Sequence, residues 1–126
     1  MNNSPIGVYD SGFGGLSVWR EIHRRLPEES LLYLGDGKNC PYGGRSREEI
    51  TAFAREAVER LIGEGVKMVV VGCNTATTAA VDALRAEWPD IPIVGLEPAV
   101  KPACLSSRTR RIAVLATAHS LQSDMF

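Results

Sequence analysis

The sequence lacks an excess of charge, a long apolar run and paired cysteines. Its 126 residues carry 14 Lys and Arg against 15 Asp and Glu, which leaves a net charge of -1. Such a balance lacks the positive field that attracts nucleic acid or an anionic membrane, so we expect a small-molecule partner and neither nucleic acid nor a membrane.

No run reaches the roughly 20 apolar residues of a membrane span, and the first residues lack the basic and apolar regions of a signal peptide. We therefore expect a cytoplasmic protein.

Cysteine is scarce and unpaired in the sequence. Cys40, Cys73 and Cys104 form no CxxC pair and leave an odd count. We therefore expect neither a disulfide framework nor a metal site. By contrast, 44% of the residues are apolar and 23% are charged, a composition that can bury a core. The length suits one compact domain, or most of one and the start of another.

Short apolar runs alternate along the chain with longer amphipathic stretches, a pattern typical of βαβ units. The longest helix has Ser46 as its candidate cap and Glu49 three residues later, the spacing of a capping box. The pattern predicts strands at 6–9, 31–34, 66–71, 91–94 and 111–115, and helices at 16–25, 46–62, 75–88, 98–104 and from 120 onward. The predicted fold class is α/β, with a parallel sheet flanked by helices.

Polar and glycine residues cluster where the predicted strands end. They occupy 10–12 after the first strand, 36–43 after the second, 72–75 after the third and 97–98 after the fourth. Because ligands of open α/β sheets bind outside the carboxyl ends of the strands, these segments are expected to converge on one pocket. The first of them opens the glycine-rich turn DSGFGG at 10–15, which either binds a carboxylate or phosphate through backbone N–H groups or is only a cap with a tight turn. It matches neither GxGxxG nor the P-loop, which argues against a nucleotide.

Cys73 has the clearest chemical potential, because it follows a buried strand and begins a helix. The helix dipole and backbone donors favour a thiolate there, which would act as a base or nucleophile. The alternative is a small buried cysteine that only packs. The polar side chains of Asn74, Thr75, Thr77 and Thr78 at the same helix start suit a polar ligand.

The other reactive side chains are weaker candidates. Cys40 is interpreted as incidental and Cys104 as a packing residue, while His119 follows the last predicted strand and is open to a role in a site. No Ser-His-Asp or Cys-His arrangement can be built, so covalent hydrolase chemistry is not expected.

Separated motifs in one order resemble the start of the glutamate racemases, in the aspartate/glutamate racemase family. They are GVYDSGFGGLSV at 7–18, GD at 35–36, PYG at 41–43, CNTA at 73–76, EPAVKP at 97–102 and LAT at 115–117. The resemblance implies that family's α/β fold and a cofactor-independent interconversion of L- and D-glutamate, which supplies D-glutamate for peptidoglycan. It also implies two cysteines on opposite faces of the substrate's α-carbon.

The resemblance assigns roles to individual residues. It makes Cys73 the first acid and base, assisted by Asp10. It makes Asp10, Ser11, Tyr42, Gly43, Asn74, Thr75 and Thr117 the residues that hold the substrate.

One family feature does not occur in the sequence. The second cysteine of the family stands in a Cys-Thr-His motif in a second α/β domain, and these 126 residues do not contain it. The resemblance makes residues 1–97 the first domain and residues 98–126 the opening of the second. We therefore expect this chain alone to racemise poorly or not at all. Its unpaired sheet edge predicts dimerisation or aggregation.

Two alternatives remain at this point. One is an aspartate- or hydantoin-type racemase that keeps the cysteine chemistry and changes the substrate. The other is a module that binds an acidic metabolite without chemistry.

Overall fold

The computed structural model describes residues 2–124, which form a four-stranded parallel sheet flanked by helices. The strands are β1 (Ile6–Asp10), β2 (Leu31–Gly35), β3 (Met68–Val71) and β4 (Ile93–Gly95), in the spatial order β2-β1-β3-β4. The helices are α1 (Leu16–Arg25), α2 (Arg47–Gly63), α3 (Asn74–Glu87), α4 (Val100–Ser106) and α5 (Ala118–Leu121). The predicted α/β fold class is confirmed.

Strand β1 lies between β2 and β3 in the sheet and pairs with both of them. Asp10, its last residue, lies beside Gly35, and Tyr9 lies beside Val71. All three strands run in the same direction, so their carboxyl ends share one edge. Asp10, the loop after Gly35 and Cys73 are therefore brought together by register alone.

The two faces of the sheet bury different helices, because side chains alternate along each strand. One face carries Tyr9, Val69 and Val71 into the larger core, which contains most of the buried residues of α2 and α3. The opposite face carries Val8 and Val70 into a smaller core that α1 covers.

Helix α2 begins as the sequence predicts. Ser46 Oγ accepts a hydrogen bond from the Glu49 N–H at 3.1 Å, and Glu49 accepts one from the Ser46 N–H at 2.9 Å. These two bonds satisfy backbone donors that a helix start leaves without partners, so the capping box is confirmed.

The predicted strand at 111–115 is wrong. These residues are irregular and pair with no strand in the part of the chain that the structure describes, and Leu115 is 99% exposed. Apolar composition alone does not make a strand, because each strand also needs a neighbour with free backbone groups. The segment instead runs alongside α4, where Ile112 and Val114 line one cleft with Val100 and Ala103.

Other boundaries differ by a few residues. The fourth strand begins at Ile93 and not at residue 91, and the last helix begins at Ala118, where Thr117 is the cap. That helix is a single turn ending at Leu121, and the continuation expected at 125 and 126 lies outside the described residues.

No helix within residues 2–124 is both long enough and apolar enough to cross a bilayer.

Candidate active site at the carboxyl edge of the sheet

The loops after β1 and β2 touch through glycine backbone. A Cβ at Gly35 would lie 2.5 Å from the carbonyl oxygen of Gly12, and a Cβ at Gly15 would lie 2.6 Å from Asp10 Cβ. Both distances are too short for any other residue, so glycine at these two positions permits the close approach. The segment that follows Asp10 is thereby held against the end of β2.

Cys73 caps α3 with its side chain. Its Sγ accepts a hydrogen bond from the Ala76 N–H at 3.4 Å and lies 3.4 Å from Ser11 Oγ. The residue is 6% exposed, with the sulfur at the start of a 14-residue helix. A thiol there donates to Ser11, and a thiolate accepts from both the hydroxyl and the helix start. The structure therefore gives the sulfur partners in both protonation states.

Asp10 is a second ionisable side chain at this edge. It is 6% exposed, and its Oδ2 accepts a hydrogen bond from the Gly12 N–H at 3.0 Å. This bond turns the chain sharply after β1 and keeps Ser11 at the end of the strand. Asp10 thus shapes the loop that carries Ser11 to Cys73.

A group of hydroxyls joins the start of α3 to the cap of α5. Thr75 Oγ1 and Thr117 Oγ1 are 3.1 Å apart, and Thr117 Oγ1 is 3.1 Å from the hydroxyl of the buried Ser120. Gly43 packs against Thr117 of this group, because a Cβ at Gly43 would be 3.0 Å from Thr117 Cγ2. Three of the predicted substrate residues, Gly43, Thr75 and Thr117, are therefore neighbours.

Tyr42 is buried, and its hydroxyl is engaged within the protein. It donates to Asp36 Oδ2 at 2.6 Å and lies 2.6 Å from the Tyr9 hydroxyl, while the Asn39 amide donates to the same carboxylate. Burial raises the pKa of both tyrosines well above the ordinary value, and for Tyr42 the bond to Asp36 raises it further. Both hydroxyls therefore stay protonated, and this network fixes the loop that places Gly43.

The remaining polar residues at the start of α3 make different contacts. Asn74 is exposed and lines a cleft with Pro98 and Ala99. Thr77 is buried, and its Oγ1 donates to the Val71 carbonyl at 3.3 Å and accepts from the Leu96 N–H at 3.1 Å. Thr78 Oγ1 donates to the Asn74 carbonyl at 2.9 Å. The hydroxyl of Thr77, which was expected to suit a ligand, instead ties β3 to the segment after β4.

The weaker candidates lie at three different places. Cys40 is exposed, with its Sγ 3.6 Å from where a Cβ on Gly12 would lie, so it borders the loop after β1. Cys104 is half-buried in α4. His119 is half-buried and lines a different cavity with Thr77 and Glu97.

Tyr33 is a site-shaping residue that sequence reasoning missed, and Asp36, which it placed in the polar segment expected at the pocket, received no individual role. Tyr33 donates from its hydroxyl to the Gly12 carbonyl at 2.7 Å, and Asp36 anchors Tyr42 as described above. A tyrosine inside a short apolar strand is a signal, because a buried tyrosine hydroxyl usually finds a partner. The identity of the partner depends on the tertiary fold.

The hydrogen bonds around Cys73 and Thr75 involve no charged side chain. Every contact of Ser11, Cys73, Thr75 and Thr117 given above is with a neutral hydroxyl, thiol or backbone group. Among residues 2–124, no three His, Cys, Asp or Glu side chains are grouped closely enough to hold a metal ion. The side chains present can take up or release a proton and can donate hydrogen bonds to an anion.

Comparison with known proteins gives one consistent result. The Asp/Glu/hydantoin racemase model matches residues 6–126. The glutamate racemase of Stutzerimonas stutzeri is 51% identical over 123 residues, which are 98% of this chain and 47% of that protein. The glutamate racemase of Clostridium novyi is 49% identical, over 100% of this chain and 49% of that protein. The chain therefore spans about half the length of these curated relatives.

Solved structures agree with the sequence matches. A glutamate racemase isoform of Bacillus anthracis superposes with a TM-score of 0.86 at 44% identity, over 99% of this chain and 47% of that one. The glutamate racemase of Francisella tularensis in complex with D-glutamate superposes with a TM-score of 0.83 at 32% identity, again over 99% and 47%.

Proposed function

Because the chain belongs to the Asp/Glu/hydantoin racemase family, we propose that it forms one half of a glutamate racemase active site. The half that this chain forms removes or returns the α-proton at one face of glutamate. The observation that carries the proposal is the position of Cys73, whose sulfur has both the start of α3 and the Ser11 hydroxyl as partners.

Cys73 is the group that exchanges the proton. As a thiolate it takes the α-hydrogen: the Cα–H bond breaks, an S–H bond forms, and the electron pair of the broken bond delocalises onto the substrate carboxylate. A second acid then delivers a proton to the opposite face. By the family resemblance this acid is the cysteine of the Cys-Thr-His motif, outside these residues. By the same resemblance, Asp10 assists Cys73.

The difficulty of the reaction is the low acidity of an α-hydrogen. Charge that develops on the substrate carboxylate must therefore be stabilised by donors that are already in place. Ser11, Asn74 and Thr75 supply side-chain donors, and Gly43 supplies a backbone N–H. The Tyr42 hydroxyl is already engaged by Asp36, so its contribution is to place Gly43.

Glutamate is favoured as the substrate over aspartate or a hydantoin. The motifs DSGFGG and PYG resemble the glutamate enzymes, and the relatives of about 50% identity are named glutamate racemases. The Francisella structure, which contains D-glutamate, shares the fold over nearly the whole chain. We propose the wider role of the family with it: cofactor-independent supply of D-glutamate for peptidoglycan, in the cytoplasm.

The chain divides in this proposal into residues 1–97, the first α/β domain, and residues 98–126, the opening of a second. The irregular segment 111–115 supports that division, because its apolar residues find no strand partner within the described range. Exposed apolar side chains such as Leu105 and Leu115 favour self-association, and a homodimer is part of the proposal.

The test follows the α-proton of the substrate. The chain is incubated in deuterated water with L-glutamate and separately with D-glutamate, and loss of the α-proton signal is measured by NMR. We expect exchange of one enantiomer without inversion. The exchange should be abolished by Cys73→Ser and unaffected by the matched control Cys104→Ser.

Three outcomes would contradict parts of the proposal. Absence of exchange with either enantiomer removes the half-reaction from this chain and leaves the acidic-metabolite binding module. Exchange of aspartate or a hydantoin in preference to glutamate changes the substrate. Exchange that persists in Cys73→Ser assigns the proton transfer to a group other than Cys73.

A further inference from the structure

Tyr33 connects the body of the sheet to the loop that carries Ser11. Its ring packs against the smaller core on the α1 side of the sheet, to which Val18 and Trp19 of α1 also contribute. Its hydroxyl leaves that core at the carboxyl edge and donates to the Gly12 carbonyl oxygen at 2.7 Å. A rigid aromatic side chain, fixed at its base by packing, thus ends at the loop after β1, where the Asp10 carboxyl and the Gly15 backbone also lie beside its hydroxyl.

Both ends of Gly12 are fixed. Its N–H donates to Asp10 Oδ2 at 3.0 Å, and its carbonyl oxygen accepts from Tyr33. The backbone of Gly35 closes on the same carbonyl from the end of β2. Because both its N–H and its carbonyl oxygen are hydrogen-bonded, Gly12 has little conformational freedom. The neighbouring Ser11 is therefore held in a defined position.

The Tyr33 hydroxyl is suited to a permanent donor role. Burial, followed by the nearby charge of Asp10, raises its pKa to about 12. The hydroxyl therefore keeps its hydrogen throughout the neutral range and donates to Gly12 at any pH at which the protein would work.

We propose that Tyr33 is a positioning residue, which acts through Gly12 to hold the Ser11 hydroxyl against the sulfur of Cys73. The path runs from the Tyr33 hydroxyl to the Gly12 carbonyl, along the chain to Ser11, and from Ser11 Oγ to Cys73 Sγ at 3.4 Å. It deepens the proposed function, but the positioning itself needs no substrate.

The experiment measures the alkylation of Cys73 by iodoacetamide as a function of pH. Cys40→Ser and Cys104→Ser together form the background, so that Cys73 is the single thiol. In Tyr33→Phe we expect the rate at neutral pH to fall about fivefold, the equivalent of one ordinary hydrogen bond. We also expect the midpoint of the rate profile to move to higher pH, because the thiolate loses the Ser11 donor.

A double-mutant cycle tests whether Tyr33 acts through Ser11. Ser11→Ala should give the same shift, and Tyr33→Phe combined with Ser11→Ala should add nothing to it. Gly35→Ala, which disturbs the same carbonyl from the backbone side, is a second variant and should also move the midpoint upward. Additive effects of Tyr33→Phe and Ser11→Ala would overturn the proposal.

A matched control separates positioning from general loosening. Thr51→Val removes a hydroxyl that bonds the Arg47 and Ala79 carbonyls, neither of which is a partner of Gly12, Ser11 or Cys73. It should lower stability and leave the alkylation profile unchanged. A Thr51→Val profile that matches that of Tyr33→Phe would overturn the proposal.

The two proposals can fail separately. If the alkylation pattern holds while glutamate shows no exchange, the assignment of the substrate is wrong and the role of Tyr33 stands. If glutamate exchanges in a Cys73-dependent manner and Tyr33→Phe leaves the alkylation profile unchanged, the role of Tyr33 is wrong.

Discussion

The hydroxyl of Tyr9 lies 2.6 Å from the hydroxyl of Tyr42, although the residues are 33 positions apart in the chain. Tyr42 has a single hydroxyl hydrogen, and the Asp36 carboxylate accepts it. Tyr9 must therefore donate to Tyr42, which gives a directed chain of hydrogen bonds from β1 to Asp36. The loop that places Gly43 is thus anchored in the central strand of the site.

Removing the first hydroxyl of that chain should cost stability. Tyr9→Phe keeps the ring but leaves the buried Tyr42 oxygen without its donor, so we expect the free energy of unfolding to fall by about 1 to 3 kcal/mol. Urea denaturation followed by circular dichroism measures the change. An unchanged denaturation midpoint would show that the two hydroxyls do not interact in solution.

Gly35→Ala should be far more damaging than Gly37→Ala. At Gly35 the new Cβ would lie 2.5 Å from the Gly12 carbonyl, whereas at Gly37 it would meet nothing within 4 Å. We expect a loss of about 1 to 3 kcal/mol for the first, from overpacking, and no loss for the second. Thermal melts of the two variants provide the comparison, and equal melting temperatures would contradict the close approach of the loops.

The capping box of α2 predicts a modest cost for Ser46→Ala. The substitution leaves the Glu49 N–H without its acceptor, for an expected loss of about 1 kcal/mol. Ser30→Ala is the matched control, since Ser30 precedes a strand and caps no helix. The free energies of unfolding of the two variants should differ by the contribution of the Ser46 cap. A Ser30→Ala loss as large as that of Ser46→Ala would argue against the capping box.

An ion pair between α2 and α3 predicts a pH dependence. Arg55 donates to both oxygens of Glu87 at 2.6 Å, and these bonds lower the pKa of the Glu87 carboxyl. A depressed carboxyl pKa stabilises the fold above the unfolded pKa of roughly 4.3, and this stabilisation is lost as the pH falls through the folded value. Glu87→Gln should therefore be less stable than the parent at pH 7, and the difference should shrink in acid.

The control for this pair is Glu64→Gln. Within residues 2–124, Glu64 takes part in no salt bridge, so its substitution should leave the pH dependence unchanged. Denaturation of both variants at several pH values between 3 and 7 makes the comparison. A difference for Glu87→Gln that stays constant across this range would exclude a contribution from its charge.

Two leucines should respond in opposite ways to truncation. Leu84 is 0% exposed in the larger core, and Leu115 is 99% exposed. Leu84→Ala should lower the free energy of unfolding by about 2 to 5 kcal/mol, because it removes buried apolar surface and leaves a cavity. Leu115→Ala should change it little and should reduce self-association, which sedimentation measures. Strong destabilisation by Leu115→Ala would show that the residue is covered in solution.

The sequence was a good guide to the elements that bury one apolar face. Strands β1 to β4 and helices α1 to α3 have their own apolar periodicity, and each of these strands pairs with at least one other strand of the sheet. The segment 111–115 has the same composition and forms no strand, because composition reports the polarity of side chains and not the presence of a neighbouring strand. The error therefore has a physical cause outside the local sequence.

The site was predictable in part for the same reason. Asp10 and Cys73 could be placed because each directly follows a strand whose end lies on a known edge of the sheet. The roles of Tyr33 and Asp36 could not, because they depend on strand register and on where a hydroxyl meets a distant backbone or carboxylate. Val8 lies beside Tyr33, for example, and that pairing sets which loop the tyrosine reaches.

Strand β1 has a hydrogen-bonded strand on each side, whereas residues 111–116 pair with no strand among the residues described. Backbone amides of β1 should therefore exchange with solvent deuterium only when the whole domain unfolds, and those of 112–116 should exchange through small local openings. Asp10 is attached to the slowest-exchanging part of the molecule, and Thr117 to one of the fastest. Binding of a ligand in the site should then slow amide exchange around Thr117. The exchange of the amides around Asp10 should stay the same.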